Sequence, residues 1–396
     1  MISTGDPHAL EAEIAAVGAP DTDATRAAML RPVRLEEITG PAAALLRQEM
    51  LVLGGDCMIH RAVADFDPSP RPVLLLGTAA TYERLVERAA LLPHGVAEAA
   101  AEAVAAVGHF EQLDNRLLKC RDRTLELGAQ TLVMGIINLT PDSFSGDGLG
   151  GDADAALAQA LSFIEAGCDI VDVGGQSTRP GSAAVSVDEE LERVLPVVEL
   201  LADESDAVIS IDTNKPEVAR LATAAGAGLV NDVNGLRDPE MIDAIGASGA
   251  AACVMHMKGT PETMEQEAVY DDLIGEIYGF LSAQVEAAEE AGLPRDRLLV
   301  DPGFGFGKTP RHNLELLRRL RELRSLGCGV LIGTSRKSTM GQVLDLPADQ
   351  RVMGTAATCA IAIANGADVI RVHDVPEMVQ VARMSDAIVR GWGAAS

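Results

Sequence analysis

Residues 208–233 read VISIDTNKPEVARLATAAGAGLVNDV. Two short apolar runs, 208–211 and 228–230, flank a longer stretch with helical character. The first run closes on Asp212 and the second on Asn231, each followed by turn-forming polar residues. An apolar run of this length, capped by a polar residue and a turn, fits a strand buried on both faces of a parallel sheet. The same rhythm recurs at 132–137, 170–173, 252–255, 298–300, 330–332 and 369–372, which makes eight runs. Helical spacing is clear between them: Leu191, Val194, Leu195 and Val198 share one face, and 270–291 and 313–326 are similar. Eight βα units beginning near residue 128 fit a closed (β/α)8 barrel, an α/β architecture of about 250 residues. Their regularity, without an obvious break, favours closure over a doubly wound open sheet.

Residues 1–127 differ in character. They are Ala-rich and carry few residues suited to chemistry. Helices are expected at 40–53, 82–92 and 96–107, with a strand at 73–76, so a small α/β unit precedes a barrel over 128–396. Asp56 and His60 are its tempting polar residues, and a surface role accounts for both.

Composition narrows the function. The net charge of the 396-residue chain is -27, which repels nucleic acid and anionic lipid as general partners. No run reaches the roughly 18 uncharged apolar residues that a spanning helix needs. The start, Met1 to Asp6, lacks the basic and apolar regions of a signal peptide, so a cytoplasmic location is expected. Six widely spaced cysteines form no CxxC pair, which argues for reduced thiols rather than a zinc or redox site. Arg is strongly preferred over Lys, and the chain keeps only Lys119, Lys215, Lys258, Lys308 and Lys337. Four of these sit beside Gly, Pro or Ser in strand-end contexts, which marks them for attention; Lys119 needs no special account.

A (β/α)8 barrel places its active site at the carboxyl ends of its strands. The residues there are Asn138; Gln176 with Ser177, Thr178 and Arg179; Asp212; Asn231 and Asp232; His256; Asp301; Ser335 to Ser338; and Arg371 with His373. Caps and turns explain any one Asp, Asn or Ser. They do not explain Arg179, Lys337, Arg371 and His373 gathering on one rim of an acidic protein. Two halves are expected. A basic half of Arg179, Arg336, Lys337, Arg371 and His373 suits phosphate or carboxylate. An acidic half of Asp212, Asn231 and Asp301 suits the adjacent N–H donors of an aminopyrimidinone. These carboxylates are separated by whole βα units with no His among them, which disfavours a metal site built from them.

The strand-end segments also resemble a known family. Residues 134–145 (MGIINLTPDSFS) and 174–181 (GGQSTRPG) are similar to the two signatures of dihydropteroate synthases. Further matches follow in order: 210–213 (SIDT), 231–233 (NDV), 255–261 (MHMKGTP), 301–308 (DPGFGFGK), 335–338 (SRKS) and 371–374 (RVHD). Each tetrapeptide is weak, but eight in order at strand ends are specific. The resemblance covers about residues 130–390. It implies that 6-hydroxymethyl-7,8-dihydropterin pyrophosphate is condensed with p-aminobenzoate, in folate biosynthesis, by a homodimeric sulfonamide target. Asp212, Asn231, Asp301 and Lys337 would grip the pterin, with Met255 against the ring. Asn138 would help hold Mg²⁺. Thr178, Arg179, Arg371 and His373 would take the pyrophosphate, and Pro180, Phe306, Lys337 and Ser338 would frame the arylamine. Asp212, Lys337, Arg371 and His373 carry the catalytic roles: in this family the pterin methylene C–O bond breaks early, and charge stabilisation does the work. Two departures stand out. Gln176 replaces the usual Glu, and Gly146 displaces the usual Asp to Asp147. A related barrel class, the methyltetrahydrofolate–corrinoid methyltransferases, shares the pterin-gripping Asp and Asn, but has no leaving pyrophosphate for the basic rim. A non-catalytic pterin-binding barrel is the third reading, and the complete polar rim stands against it.

Overall fold

The computed structural model describes residues 29–112, 116–140, 152–177, 185–260 and 266–392, with positions 10, 14, 16, 17, 263 and 264. The described residues form two compact units that divide between Glu111 and Gln112.

The first unit is α/β, as expected. Its strands are β1 (Arg31–Ile38), β2 (Asp56–Met58) and β3 (Arg71–Gly77), and its helices are α1 (Gly40–Val52), α2 (Ala79–Ala89) and α3 (Val96–Glu111). The sheet is antiparallel in the order β1-β3-β2. Leu35, Leu46, Met50, Leu75, Tyr82 and Leu85 fill the core. The Tyr82 hydroxyl donates to the carbonyl of Leu75 at 3.1 Å. The sequence reading did not find β1. Its inward residues Val33 and Leu35 alternate with Arg34 and Glu36, so one face is polar and no apolar run forms.

The second unit opens with a hairpin, β4 (Arg116–Cys120) and β5 (Arg123–Leu127), before the barrel. The domain boundary therefore lies at 111/112 rather than the expected 127/128. The hairpin was missed because its strands are five residues long, begin on Arg116 and Arg123, and carry Lys119 and Glu126 on their outward side, so no apolar run forms. Leu118, Cys120 and Leu127 turn inward and close the amino-terminal end of the barrel, packing on Leu132, Met134, Ile170, Leu229, Leu299 and Val369. Arg116 fixes the hairpin through an ion pair of 2.5 Å with the fully buried Asp368.

Eight parallel strands then close the expected barrel in sequence order. They are β6 (Leu132–Asn138), β7 (Ile170–Gly174), β8 (Val208–Asp212), β9 (Leu229–Asp232), β10 (Ala251–Met255), β11 (Leu298–Asp301), β12 (Gly329–Ile332) and β13 (Val369–Val372). β13 pairs with β6 to complete the circle. The intervening helices are α4 (Ala153–Glu165), α5 (Val187–Glu204), α6 (Pro216–Ala225), α7 (Pro239–Ser248), α8 (Leu273–Glu290), α9 (Pro310–Arg319), α10 (Ser338–Leu344) and α11 (Val352–Ala364), and α12 (Val375–Val389) follows β13. Their starts are specified locally. Asp152, Ser186, Asp238, Asp272 and Thr309 each cap the helix that follows by accepting from its backbone.

Candidate active site

Each strand of the barrel delivers a polar residue at its carboxyl end, and the inward ones meet. The register of β8 on β9 sets Asp212 beside Asn231, and that of β10 on β11 sets Met255 beside Asp301. Asp212, Asn231 and Asp301 are all buried. Arg371 reaches in from β13. Its Nε donates to Oδ2 of Asp172 at 2.6 Å and its Nη2 to Oδ2 of Asp212 at 2.7 Å. The side-chain amide of Asn231 donates to the same Asp172 oxygen at 3.2 Å.

The expected separation into a basic and an acidic half is therefore corrected. Arg371 lies among the carboxylates, because a guanidinium opposite two buried carboxylates pairs with them by charge-assisted hydrogen bonds. Asp172 was missed altogether. It sits within an apolar run and not at its end, and the one available signal was a charged residue in an otherwise apolar strand. It is fully buried, and its Oδ1 has no protein partner. A buried carboxylate oxygen left open at a site of this kind is suited to a ligand N–H.

Burial and charge tune these groups. Burial pushes the Asp212 carboxyl up to about 7, with Arg371 pulling the other way and Asp172 and Glu190 adding to the rise. Asp301 is also raised by burial, against the pull of Lys337 and of the Gly303 N–H, which donates to it at 2.7 Å. Burial lowers the Lys337 ammonium to about 8, while Asp301 favours its charge. Burial opposes the charge of Arg371, but Asp172 and Asp212 outweigh it and hold the guanidinium protonated. Acid, base and cation thus share a water-poor mouth in which electrostatic terms are strong.

Lys337 donates to the carbonyl of Phe304, and its ammonium lies 4.4 Å from the centre of the Phe306 ring. Met255, Met257, Val233 and Met264 form an apolar patch against which Phe306 packs, a surface suited to a flat ring. Ser338 is exposed at the first turn of α10. His373 is held by Ser335, whose Oγ lies 2.9 Å from its Nδ1. Arg336, counted in the expected basic half, makes a two-pronged ion pair with Asp374 at 3.0 and 2.5 Å. Its φ of 55° is rare for a side chain of this size and turns the 335–338 segment at the strand end. Asn138 ends β6 half-buried, opposite Gly174 in register. Thr178, Arg179, Pro180 and Asp147 lie outside the described residues, as does most of the two loops that bear them.

Gln176 is placed by Lys215, which donates to its Oε1 and to the buried Glu190. The Gln carbonyl oxygen accepts here without adding charge. Gln176, Glu190, Asp212 and Thr213 border a cavity of about 10 Å³, room for about one water. Among the described residues, no three His, Cys, Asp or Glu side chains are grouped to hold a metal.

Residues 134–373 match the sequence model of a family described as "Pterin binding enzyme". The dihydropteroate synthase of Synechocystis is 48% identical over 265 residues, which is 66% of this chain and 92% of that one. The crystal structure of Yersinia pestis dihydropteroate synthase with a sulfonamide drug superposes with a TM-score of 0.67 at 44% identity, covering 70% of this chain and all of that one. A probable bifunctional folylpolyglutamate synthase/dihydropteroate synthase of Haloferax volcanii is 42% identical over 352 residues, 85% of this chain and 41% of that protein. That match is longer than the barrel unit and so extends into the unit before it.

Proposed function

The chain belongs to the dihydropteroate synthase family, and on that footing we propose that its barrel mouth grips a pterin through Asp172, Asp212, Asn231, Asp301 and Lys337 while p-aminobenzoate attacks the pterin methylene carbon. The enzyme is a transferase of folate biosynthesis. It forms a carbon–nitrogen bond as the carbon–oxygen bond to pyrophosphate breaks, and the arylamine gives up a proton.

One observation carries the residue assignment. Three carboxylates, an amide and two cations, carried on or just after six different strands, converge in one mouth. The carboxylates match the N–H edge of the pterin, and Met255 with its apolar neighbours matches the ring face. No nucleophilic triad is needed. Positive charge developing on the pterin methylene is stabilised by the buried carboxylates, and the departing pyrophosphate would be held by His373, Arg179 and the exposed edge of Arg371, with the Thr178 hydroxyl donating to it. Phe306, Pro180, Lys337 and Ser338 frame the arylamine.

Mg²⁺ fits this donor set as an ion that arrives with the pyrophosphate. Asn138 supplies one neutral oxygen at a strand end, and such ions commonly keep several waters and share phosphate oxygens. Bound there, the ion would offset charge on the leaving group. We further assign the protein to the cytoplasm and to a homodimer. In the described residues no helix is long and apolar enough to cross a membrane. Met353, Ile361, Met384 and Ile388 expose apolar surface on α11 and α12, where a second copy would cover it.

The test is calorimetric titration of p-aminobenzoate into protein holding a pterin ligand, with and without pyrophosphate and Mg²⁺, alongside a product assay. Arylamine binding should weaken by roughly 5- to 150-fold when pyrophosphate is omitted, the usual range for coupled sites. Equal binding in all conditions rejects the coupling. Absence of both arylamine binding and product overturns the site assignment.

A further inference from the structure

Lys308 is the most deeply placed of the five lysines, and no role above uses it. It is 8% exposed. Its Nζ lies 3.0 Å from Nδ1 of His256, 3.0 Å from the carbonyl of Phe306 and 3.4 Å from the carbonyl of His256. Three acceptors face the three protons of one ammonium. Burial pulls that ammonium down to about 7, with Lys337 adding to the fall and Asp301 opposing it. His256 is itself buried, and burial together with Lys308 keeps its ring neutral. Facing a protonated Lys308, which can only donate, Nδ1 takes the acceptor role. The backbone of His256 is tied to the pterin side of the mouth, since its N–H donates to the carbonyl of Asp301 at 2.9 Å.

A buried ammonium is an expensive way to fill space, and an apolar side chain of similar volume would do so at least as well. What Lys308 does that Met or Leu cannot is hold a turn. Residues 302–307 leave β11 and return with positive φ at Gly303 and Gly305. A Cβ on Gly303 would stand 1.9 Å from the His256 carbonyl, and one on Gly305 would stand 2.8 Å from the Lys337 stem. The turn is thus pressed between His256 on one side and Lys337 on the other. It carries the Phe304 carbonyl that accepts from Lys337 and the Phe306 ring beneath the Lys337 ammonium. Asn313 supports it from α9, accepting from the Gly305 N–H at 2.8 Å.

We propose that Lys308, seated on Nδ1 of His256, is a positioning residue for the arylamine half of the site: it holds the 303–307 turn so that Phe306 lies against Lys337. It touches neither substrate. Its effect passes through the Phe306 carbonyl to the ring that frames the arylamine. The proposal rests on the placing of the arylamine at Phe306, Lys337 and Ser338 given above.

The experiment compares wild-type protein with Lys308→Met, His256→Gln and His256→Leu. Glutamine keeps an acceptor for Lys308 and leucine does not. For each, the steady-state KM for p-aminobenzoate, kcat and the calorimetric Kd for a pterin ligand are measured, with circular dichroism as the control for folding. Lys308→Met and His256→Leu should raise the arylamine KM at least tenfold while changing the pterin Kd less than threefold, and His256→Gln should stay within threefold of wild type in both. An arylamine KM within twofold of wild type in folded Lys308→Met overturns the proposal. So does an equal loss of pterin affinity, which would place the effect on Asp301 or on the barrel at large. Failure of both Lys308→Met and His256→Leu to fold would assign the pair to the core and also overturn it. Wild-type protein that neither binds nor converts the arylamine would instead overturn the underlying site assignment.

Discussion

The Nε of Arg371 donates to Oδ2 of Asp172 at 2.6 Å, a contact that reaches from β13 across β6 to β7. Asp172 has no exposed surface, whereas the Arg371 side chain is 21% exposed. The guanidinium therefore bridges the floor of the mouth and its rim. Its Nε and Nη2 are committed to Asp172 and Asp212, while part of the side chain stays open to solvent.

Removing one partner of such a pair strands a buried charge. Asp172→Ala should cost about 3 kcal/mol, the lower end of the range for broken buried pairs, because Arg371 keeps some contact with water. The double variant with Arg371→Met should recover part of that loss. Chemical denaturation of the four proteins in a double-mutant cycle gives the coupling, and additive losses would show that the two side chains do not act together.

Asp212 makes a prediction with a definite sign. Its carboxyl is raised to about 7 in the folded protein, chiefly by burial. In the unfolded chain it titrates near about 3.9. Between those values the folded state holds a proton that the unfolded state has released, so stability at this position falls as pH rises from about 4 to about 7 and is level above that. Asp212→Asn removes the slope. The Tm of the variant minus that of wild type should rise through that window and then level off. A difference independent of pH would refute the raised carboxyl.

The same carboxylate should be essential to turnover. At pH about 8, where it is ionised, Asp212→Ala should lower activity roughly 10- to 100-fold, the worth of one charge-assisted hydrogen bond. Near-normal turnover in a folded Asp212→Ala protein would remove Asp212 from the pterin grip.

Where the chain can be cut follows from the hairpin. A truncated chain beginning at residue 125 would lose β4 and part of β5, and would uncover the apolar end of the barrel that Leu118 and Cys120 close. It should aggregate. One beginning at residue 112 keeps the hairpin and its Arg116–Asp368 pair and should fold and retain synthase activity. Light scattering and a product assay on both separate this outcome from tolerance of either cut.

The acidic surface should make stability depend on salt. A net charge of -27 repels itself, and at 1 M salt the screening length falls to about 3 Å. The Tm should rise between about 0.1 M and 2 M KCl. A flat or falling Tm would mean that the acidic residues are already compensated locally.

The barrel and most of its mouth were legible in the amino-acid sequence because parallel strands buried on both faces must be apolar throughout. Eight such runs, each closing on a hydrogen-bonding residue, determined both the architecture and the placing of Asp212, Asn231 and Asp301. Short regions with one wet face and charged residues on it were not legible. β1 and the hairpin alternate apolar with charged residues over a few positions, and that pattern resembles a loop. Only the tertiary structure showed that the hairpin belongs to the barrel, since Leu118, Cys120 and Leu127 find their apolar partners on strands far along the chain. Partner choice among charges was also beyond the sequence. Arg371 and Arg336 were equivalent as basic residues at strand ends. In the folded chain one bonds Asp172 and Asp212 inside the mouth and the other bonds Asp374. Coulomb energy depends on distance and on local burial, and neither exists until the strands have closed.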